Sequence, residues 1–158
     1  MGQITDDHTP VILKKLLILV PGYYAGYYLS CLIACAIAGV DFSFGIPFDF
    51  AAFDDFSFGD GAKLAPWLAM VLSMVPCCML LVFFVAKSVK MAMDYAVTLA
   101  TLHLAVSVLV HGFGSAPTAW VWWLTLVASS LAAGTGAEVM TYKLVDLKDI
   151  DTGRGDGP

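Results

Sequence analysis

The stretch that decides the fold is residues 64–86, LAPWLAMVLSMVPCCMLLVFFVA, which contains no charged side chain. A helix needs about 20 consecutive apolar residues to cross the hydrocarbon core of a bilayer, so this stretch predicts a membrane span. Three further windows have the same character, with Glu138 as their only acidic residue: 16–40, 95–113 and 118–140. We therefore expect an all-α, polytopic membrane protein built as a bundle of four transmembrane helices.

The composition of the whole chain agrees with a bilayer environment. Of its 158 residues, 59% are hydrophobic and only 13% are charged, whereas soluble domains carry about 25% charged residues. The formal net charge of −5 argues against binding to nucleic acid, which needs a basic face. We expect a single membrane domain over residues 1–150, a disordered Gly-rich tail over 151–158, and no cofactor or metal.

The distribution of lysine and arginine predicts the orientation of the spans. With four spans, seven of the eight basic residues flank one side of the membrane: Lys14, Lys15, Lys87, Lys90, Lys143, Lys148 and Arg154. Lys63 alone lies on the other side. Because short cytoplasmic segments are enriched in basic residues, we expect both termini to be cytoplasmic and the loop 41–63 to be lumenal.

The loop 41–63 is unusually rich in phenylalanine and aspartate. It holds seven of the ten phenylalanines of the chain together with five aspartates. Alternating phenylalanines allow short strands, and aromatic rings also favour the membrane interface. We favour an interfacial loop over a binding site.

Small residues repeat every four positions in two of the spans. Such stripes let helices approach closely in a bilayer, either within the bundle or in a dimer. We favour packing within the bundle and expect both stripes to face other helices. The first comprises Gly22, Gly26, Ser30, Ala34 and Ala38, and the second Ala128, Ala132 and Gly136.

Two histidines lie in the third predicted span. His103 is near its middle, and an ionisable residue at that depth is costly and a functional candidate. One interpretation is a neutral histidine that is hydrogen-bonded to a neighbouring helix. The other is a proton relay with His111. We favour the first, because no acidic residue lies at the same depth.

Several short motifs, taken in chain order, indicate a protein family. They are Asp94-Tyr95-x-x-Thr98 before His103, Pro117 before the pair Trp122-Trp123, Glu138 near the end of the last span, and Asp146-Leu147-Lys148-Asp149-Ile150. In this order and spacing the chain resembles the Sys-one family of Golgi membrane proteins, over about residues 9–150. The intramembrane polar and packing residues that we single out are Thr98, His103, Pro117, Trp122, Trp123, Gly22 and Gly26.

The resemblance implies a multi-pass Golgi membrane protein that takes part in vesicle and protein trafficking. It also implies that the protein is a receptor and not an enzyme. It implies recruitment of an Arf-related small GTPase with an acetylated N-terminus to the trans-Golgi. We expect docking at a cytoplasmic mouth formed by Lys87, Lys90, Asp94, Glu138, Tyr142 and Lys143, whose basic members equally suit anionic lipid headgroups. The alternatives are a small proton-linked transporter that uses His103 and His111, and a structural tetraspan without a soluble partner. The oligomeric state stays open.

Overall fold

The computed structural model describes residues 9–86, 89–111 and 117–152, with side chains described for 9–86, 91–111 and 117–144. Within these ranges the chain is helical and has no β-strand, which confirms the all-α prediction. The α-helices are α1 (Thr9–Ala38), α2 (Gly61–Leu72), α3 (Met79–Ala86), α4 (Val89–His111) and α5 (Trp120–Thr152).

The end of α1 is fixed by a glycine. Gly39 takes a left-handed conformation with φ of +69°, which costs a residue without a Cβ little. The amide of Val40 then donates to the carbonyl oxygen of Cys35 at 3.1 Å. This bond satisfies one of the last carbonyl groups of the helix, in the pattern of a Schellman motif.

The segment between α1 and α2 folds into two short 3₁₀-helices, Ile46–Phe48 and Ala51–Phe53, rather than strands. The interpretation of this segment as short strands is therefore wrong. Local bonds close the turns instead, such as the one from the amide of Phe48 to the carbonyl oxygen of Gly45 at 2.9 Å. Phe50 and Phe53 are buried against the bundle, so the loop adds to the core.

Helices α2 and α3 are the two halves of one continuous helix. They are joined by a π-helical segment, Ser73–Cys78, which contains Pro76. Proline lacks the amide hydrogen that an α-helical turn needs and its ring crowds the preceding turn. A wider turn accommodates both effects.

Helix α1 runs antiparallel to α3 at close range. Gly22 faces Leu81, and Gly26 faces Cys77 one turn further along. Residue numbers rise along α1 as they fall along α3, which establishes the antiparallel direction. The first part of this small-residue stripe therefore lies against α3 and the π-helical segment that precedes it.

Helix α5 runs parallel to α2 and α3. The indole Nε1 of Trp67 donates to the hydroxyl of Thr125 at 3.1 Å, and Gly136 packs on Met79. The start of α1 and the end of α5 consequently lie at one end of the bundle, which we call the terminal end. The segment 39–60 lies at the opposite end, which we call the loop end.

The second small-residue stripe does not lie wholly inside the bundle. Ala128 and Ala132 are exposed, so the prediction that they face other helices is wrong. The buried residues are instead their neighbours Ser129 and Ala133. A shift of one residue turns a side chain by about 100° around a helix, and the spacing pattern alone does not fix that rotation.

Among the described residues, three helices are long and apolar enough to cross a membrane: Thr9–Ala38, Gly61–Ala86 and Met91–His111, with mean hydropathies of 1.6, 2.7 and 1.6. Helix α5 covers the fourth predicted window but is less hydrophobic, because tryptophan, serine, threonine and Glu138 dilute its apolar residues. It continues to Thr152, two residues into the predicted disordered tail, since no glycine or proline lies between Gly136 and Gly153. Residues 153–158 lie outside the described ranges.

Candidate functional site

His103 lies at the centre of the bundle, inside a cage of aromatic rings. Its side chain has no solvent exposure. The imidazole is stacked on Tyr27, with ring centroids 5.0 Å apart. Tyr23, Phe48 and Tyr24 surround it at 6.0, 6.2 and 6.3 Å. These rings come from α1 and the loop, so tertiary packing assembles the cage.

Neither ring nitrogen of His103 has a hydrogen-bond partner among the described residues, and the buried hydroxyl of Tyr24 also lacks one. Buried polar atoms are bonded in the great majority of cases, and an unsatisfied one costs about 1–3 kcal/mol. The expected bond from His103 to a neighbouring helix is therefore not formed. The reason is steric, because the neighbours at the height of the imidazole present aromatic faces.

The second histidine contacts the same loop residue as the first. The Nε2 atom of His111 is hydrogen-bonded to the carbonyl oxygen of Phe48 at 2.8 Å, and its ring lies 4.2 Å from that of Phe50. The ring of Phe48 packs near His103. A phenyl ring carries no exchangeable proton, so this contact by itself forms no proton relay between the histidines.

The predicted mouth is divided between two parts of the terminal end. Asp94 is exposed in a groove of about 100 Å³ between α1 and α4, which is lined by Ile12, Leu16, Met91, Asp94, Tyr95 and Thr98. The hydroxyl of Thr98 donates to the backbone carbonyl of Asp94 at 2.6 Å. Sequence reasoning missed the α1 wall of this groove, because no motif marks Ile12 or Leu16.

Among the described side chains, the mouth members Glu138, Tyr142 and Lys143 do not line this groove. Glu138 is half-buried on α5, Tyr142 is 65% exposed and Lys143 is exposed. Lys87 lies outside the described residues. The side chain of Lys90 is likewise outside them, although its backbone belongs to α4.

The proline and the tryptophan pair organise the start of α5. The indole Nε1 of Trp123 donates to the carbonyl oxygen of Pro117 at 2.9 Å. The ring of Trp122 is buried and meets that of Trp123 edge to face at 5.1 Å. These contacts fix the start of α5, so the proline and the two tryptophans have a structural role.

The outer surface defines the class of the protein. Large apolar side chains are exposed along the helices, among them Leu17, Ile37 and Phe84, and surface of this kind marks contact with a membrane or a partner. Together with three helices able to span a bilayer, it defines a helical integral membrane protein.

Residues 4–151 match the family model SYS1, "integral membrane protein S linking to the trans Golgi network". The chain therefore belongs to this family, which confirms the resemblance to the Sys-one family. Neither a curated protein nor a solved structure gives a significant match.

Proposed function

We propose that this protein crosses the bilayer four times, with both termini in the cytoplasm, and acts there as the receptor of an Arf-related small GTPase. Its membership of a family of trans-Golgi integral membrane proteins supports the compartment. The receptor role follows from the resemblance, and the groove at the terminal end is the feature of the chain that suits it.

The proposal of a fourth span is supported by the two faces of α5. The helix has 33 residues, or about 50 Å of length. Leu126, Ala133 and Ala137 are buried in the bundle, whereas Leu124 and Leu131 are exposed on the opposite face. An exposed leucine face along a helix of this length suits a lipid environment better than water.

The proposed orientation is supported by charge. Seven of the eight basic residues flank the terminal end under the four-span arrangement, and Lys63 alone flanks the loop end. A bias of this kind places the basic end in the cytoplasm. A cytoplasmic GTPase then has access to the groove that contains Asp94.

The chemistry of the groove suits an acetylated N-terminus. Its walls include the apolar side chains of Ile12, Leu16 and Met91, with the exposed Asp94 beside them. Acetylation removes the charge of an α-amino group and hence the cost of burying that charge beside apolar walls. In this proposal the acetylated N-terminus of the GTPase enters the groove as a helix, whose first amides have no partners within the helix and carry partial positive charge. The carboxylate of Asp94 is placed to accept from them.

The decisive experiment fills the groove with a bulky side chain and leaves the residues around the groove unchanged. We expect Leu16→Trp to abolish binding of the GTP-loaded GTPase in a pull-down from detergent, and its Golgi recruitment in cells. Leu17→Trp is the matched control, because Leu17 is 68% exposed and does not line the groove. Binding that survives Leu16→Trp in a folded protein would refute the groove as the docking site.

The same assays separate the alternatives. A structural tetraspan would capture neither the GTP-loaded nor the GDP-loaded GTPase. A proton-linked transporter would show pH-dependent flux in liposomes that is lost in a folded His103 variant. The receptor proposal predicts nucleotide-dependent capture and no such flux.

A further inference from the structure

A cleft at the loop end has no role in the proposed recruitment. Its apolar part lies between α2 and α5, has a volume of about 520 Å³ and is lined mainly by Phe56, Phe58, Trp67, Val71, Trp120 and Leu124. An adjoining hollow of about 540 Å³ is lined by Phe53, Asp54, Asp55, Thr118 and Ala119, and shares Phe56, Trp120 and Val121 with the first. The two hollows are neighbours that share these three residues, and we treat them as one cleft, apolar along the helices and acidic towards the loop.

The apolar wall is held rigidly. The rings of Phe56 and Phe58 meet edge to face at 4.9 Å, and both pack on Trp67 at 5.8 and 5.5 Å. The indole of Trp67 is itself anchored to Thr125 on α5. Trp120 on the opposite side is 72% exposed. A preformed apolar slot of this size is in the range of small-molecule and lipid sites.

The acidic part is also held in place by defined contacts. The hydroxyl of Thr118 donates to a carboxylate oxygen of Asp54 at 3.4 Å, which ties the loop to the start of α5. The ammonium of Lys63 donates to the backbone carbonyl of Asp55 at 2.8 Å. Two carboxylates therefore lie beside exposed aromatic rings, with one lysine ammonium at their margin.

We propose that this cleft binds one zwitterionic phospholipid from the surrounding leaflet. An acyl chain occupies the apolar part, and the cationic amine of the headgroup lies between Asp54, Asp55 and the ring of Trp120. Carboxylates and aromatic faces both attract an ammonium group. Lys63 is placed to neutralise the phosphate. An anionic headgroup without an amine lacks this attraction and is repelled by the two carboxylates. Charge therefore favours the zwitterionic lipid.

The test is a lipid titration followed by native mass spectrometry. Full-length protein, delipidated in a nonionic detergent, is titrated with dioleoyl phosphatidylcholine or dioleoyl phosphatidylglycerol. We expect one phosphatidylcholine to bind at least tenfold more tightly than phosphatidylglycerol, a factor that corresponds to about 1.4 kcal/mol. Equal binding of the two lipids would mean an annular lipid only and would overturn the proposal.

Two pairs of variants locate the site. Asp54→Asn with Asp55→Asn should remove the preference, whereas Asp41→Asn with Asp49→Asn changes the net charge equally and should retain it. Leu124→Trp should block the apolar part, whereas Leu131→Trp, on the same helix and outside the cleft, should not. Circular dichroism and thermal unfolding of each variant establish that it is folded. A folded Leu124→Trp protein that binds phosphatidylcholine normally would also overturn the proposal.

Discussion

Two glycines of α1 allow a sharp test of how α1 packs on α3. A Cβ atom at Gly26 would lie 3.2 Å from the Cβ of Cys77, whereas one at Gly22 would lie 3.0 Å from a terminal methyl of Leu81. The shorter contact should nevertheless cost less. A leucine methyl can move away by rotation about its side-chain bonds, but the Cβ of Cys77 is fixed to the backbone of the π-helical segment.

The expected magnitudes follow from two opposing effects. Overpacking against an atom that cannot move costs about 1–3 kcal/mol, while replacing a helical glycine by alanine favours the helix by about 0.5–1 kcal/mol. Gly26→Ala should therefore lower the free energy of unfolding by about 1 kcal/mol. Gly22→Ala should change it by less than about 0.5 kcal/mol, because the two effects nearly cancel.

A double-mutant cycle identifies the responsible atom. Cys77→Gly removes the Cβ that the new methyl group meets, whereas Cys77→Ala keeps it and removes only the sulfur. Combined with Gly26→Ala, the first should show a favourable coupling of about 1.5–2 kcal/mol, the full overpacking cost, and the second almost none. The free energies are measured by SDS titration of the purified protein, followed by circular dichroism. A larger loss of stability from Gly22→Ala than from Gly26→Ala would refute this assignment, and so would a rescue by Cys77→Ala as large as that by Cys77→Gly.

Two further substitutions test the polar contacts of the bundle by the same titration. His103→Leu should raise the free energy of unfolding by about 1–3 kcal/mol, because it removes buried nitrogens that have no partner among the described residues; a loss of stability would reveal a bound water or ligand. Trp123→Phe should lower the free energy of unfolding by about 1 kcal/mol, because the bond to Pro117 is lost. Trp120→Phe is the control, since Trp120 is 72% exposed, and an equal loss in both variants would contradict that assignment.

The sequence alone predicts the helices because a bilayer leaves the backbone few choices. An uncharged window such as 64–86 must satisfy its own amides and carbonyls, and a helix does so locally. The family motifs, from Asp94 to the Trp122-Trp123 pair, are equally visible in the chain. The small-residue spacing of α1 likewise marks a packing face, which meets α3 at Gly22 and the π-helical segment at Gly26.

Tertiary structure decided which faces meet. In α5 a rotation by one residue exposes Ala128 and buries Ser129, because the partners of that face lie on α2, α3 and α4. Phe50 and Phe53 enter the core rather than form strands, since the bundle offers them an apolar surface. Local pattern can mark a packing face, but it does not specify which distant residues of the chain that face contacts.

The same distinction holds for the candidate sites. The depth of His103 in its span follows from the sequence, but the cage of Tyr23, Tyr27 and Phe48 forms only when α1 and the loop pack around α4. Asp94 is visible in a motif, whereas the groove beside it needs Leu16 from α1. The bilayer thus determines the helices from local composition, and the packing of distant side chains determines where those helices can bind a partner.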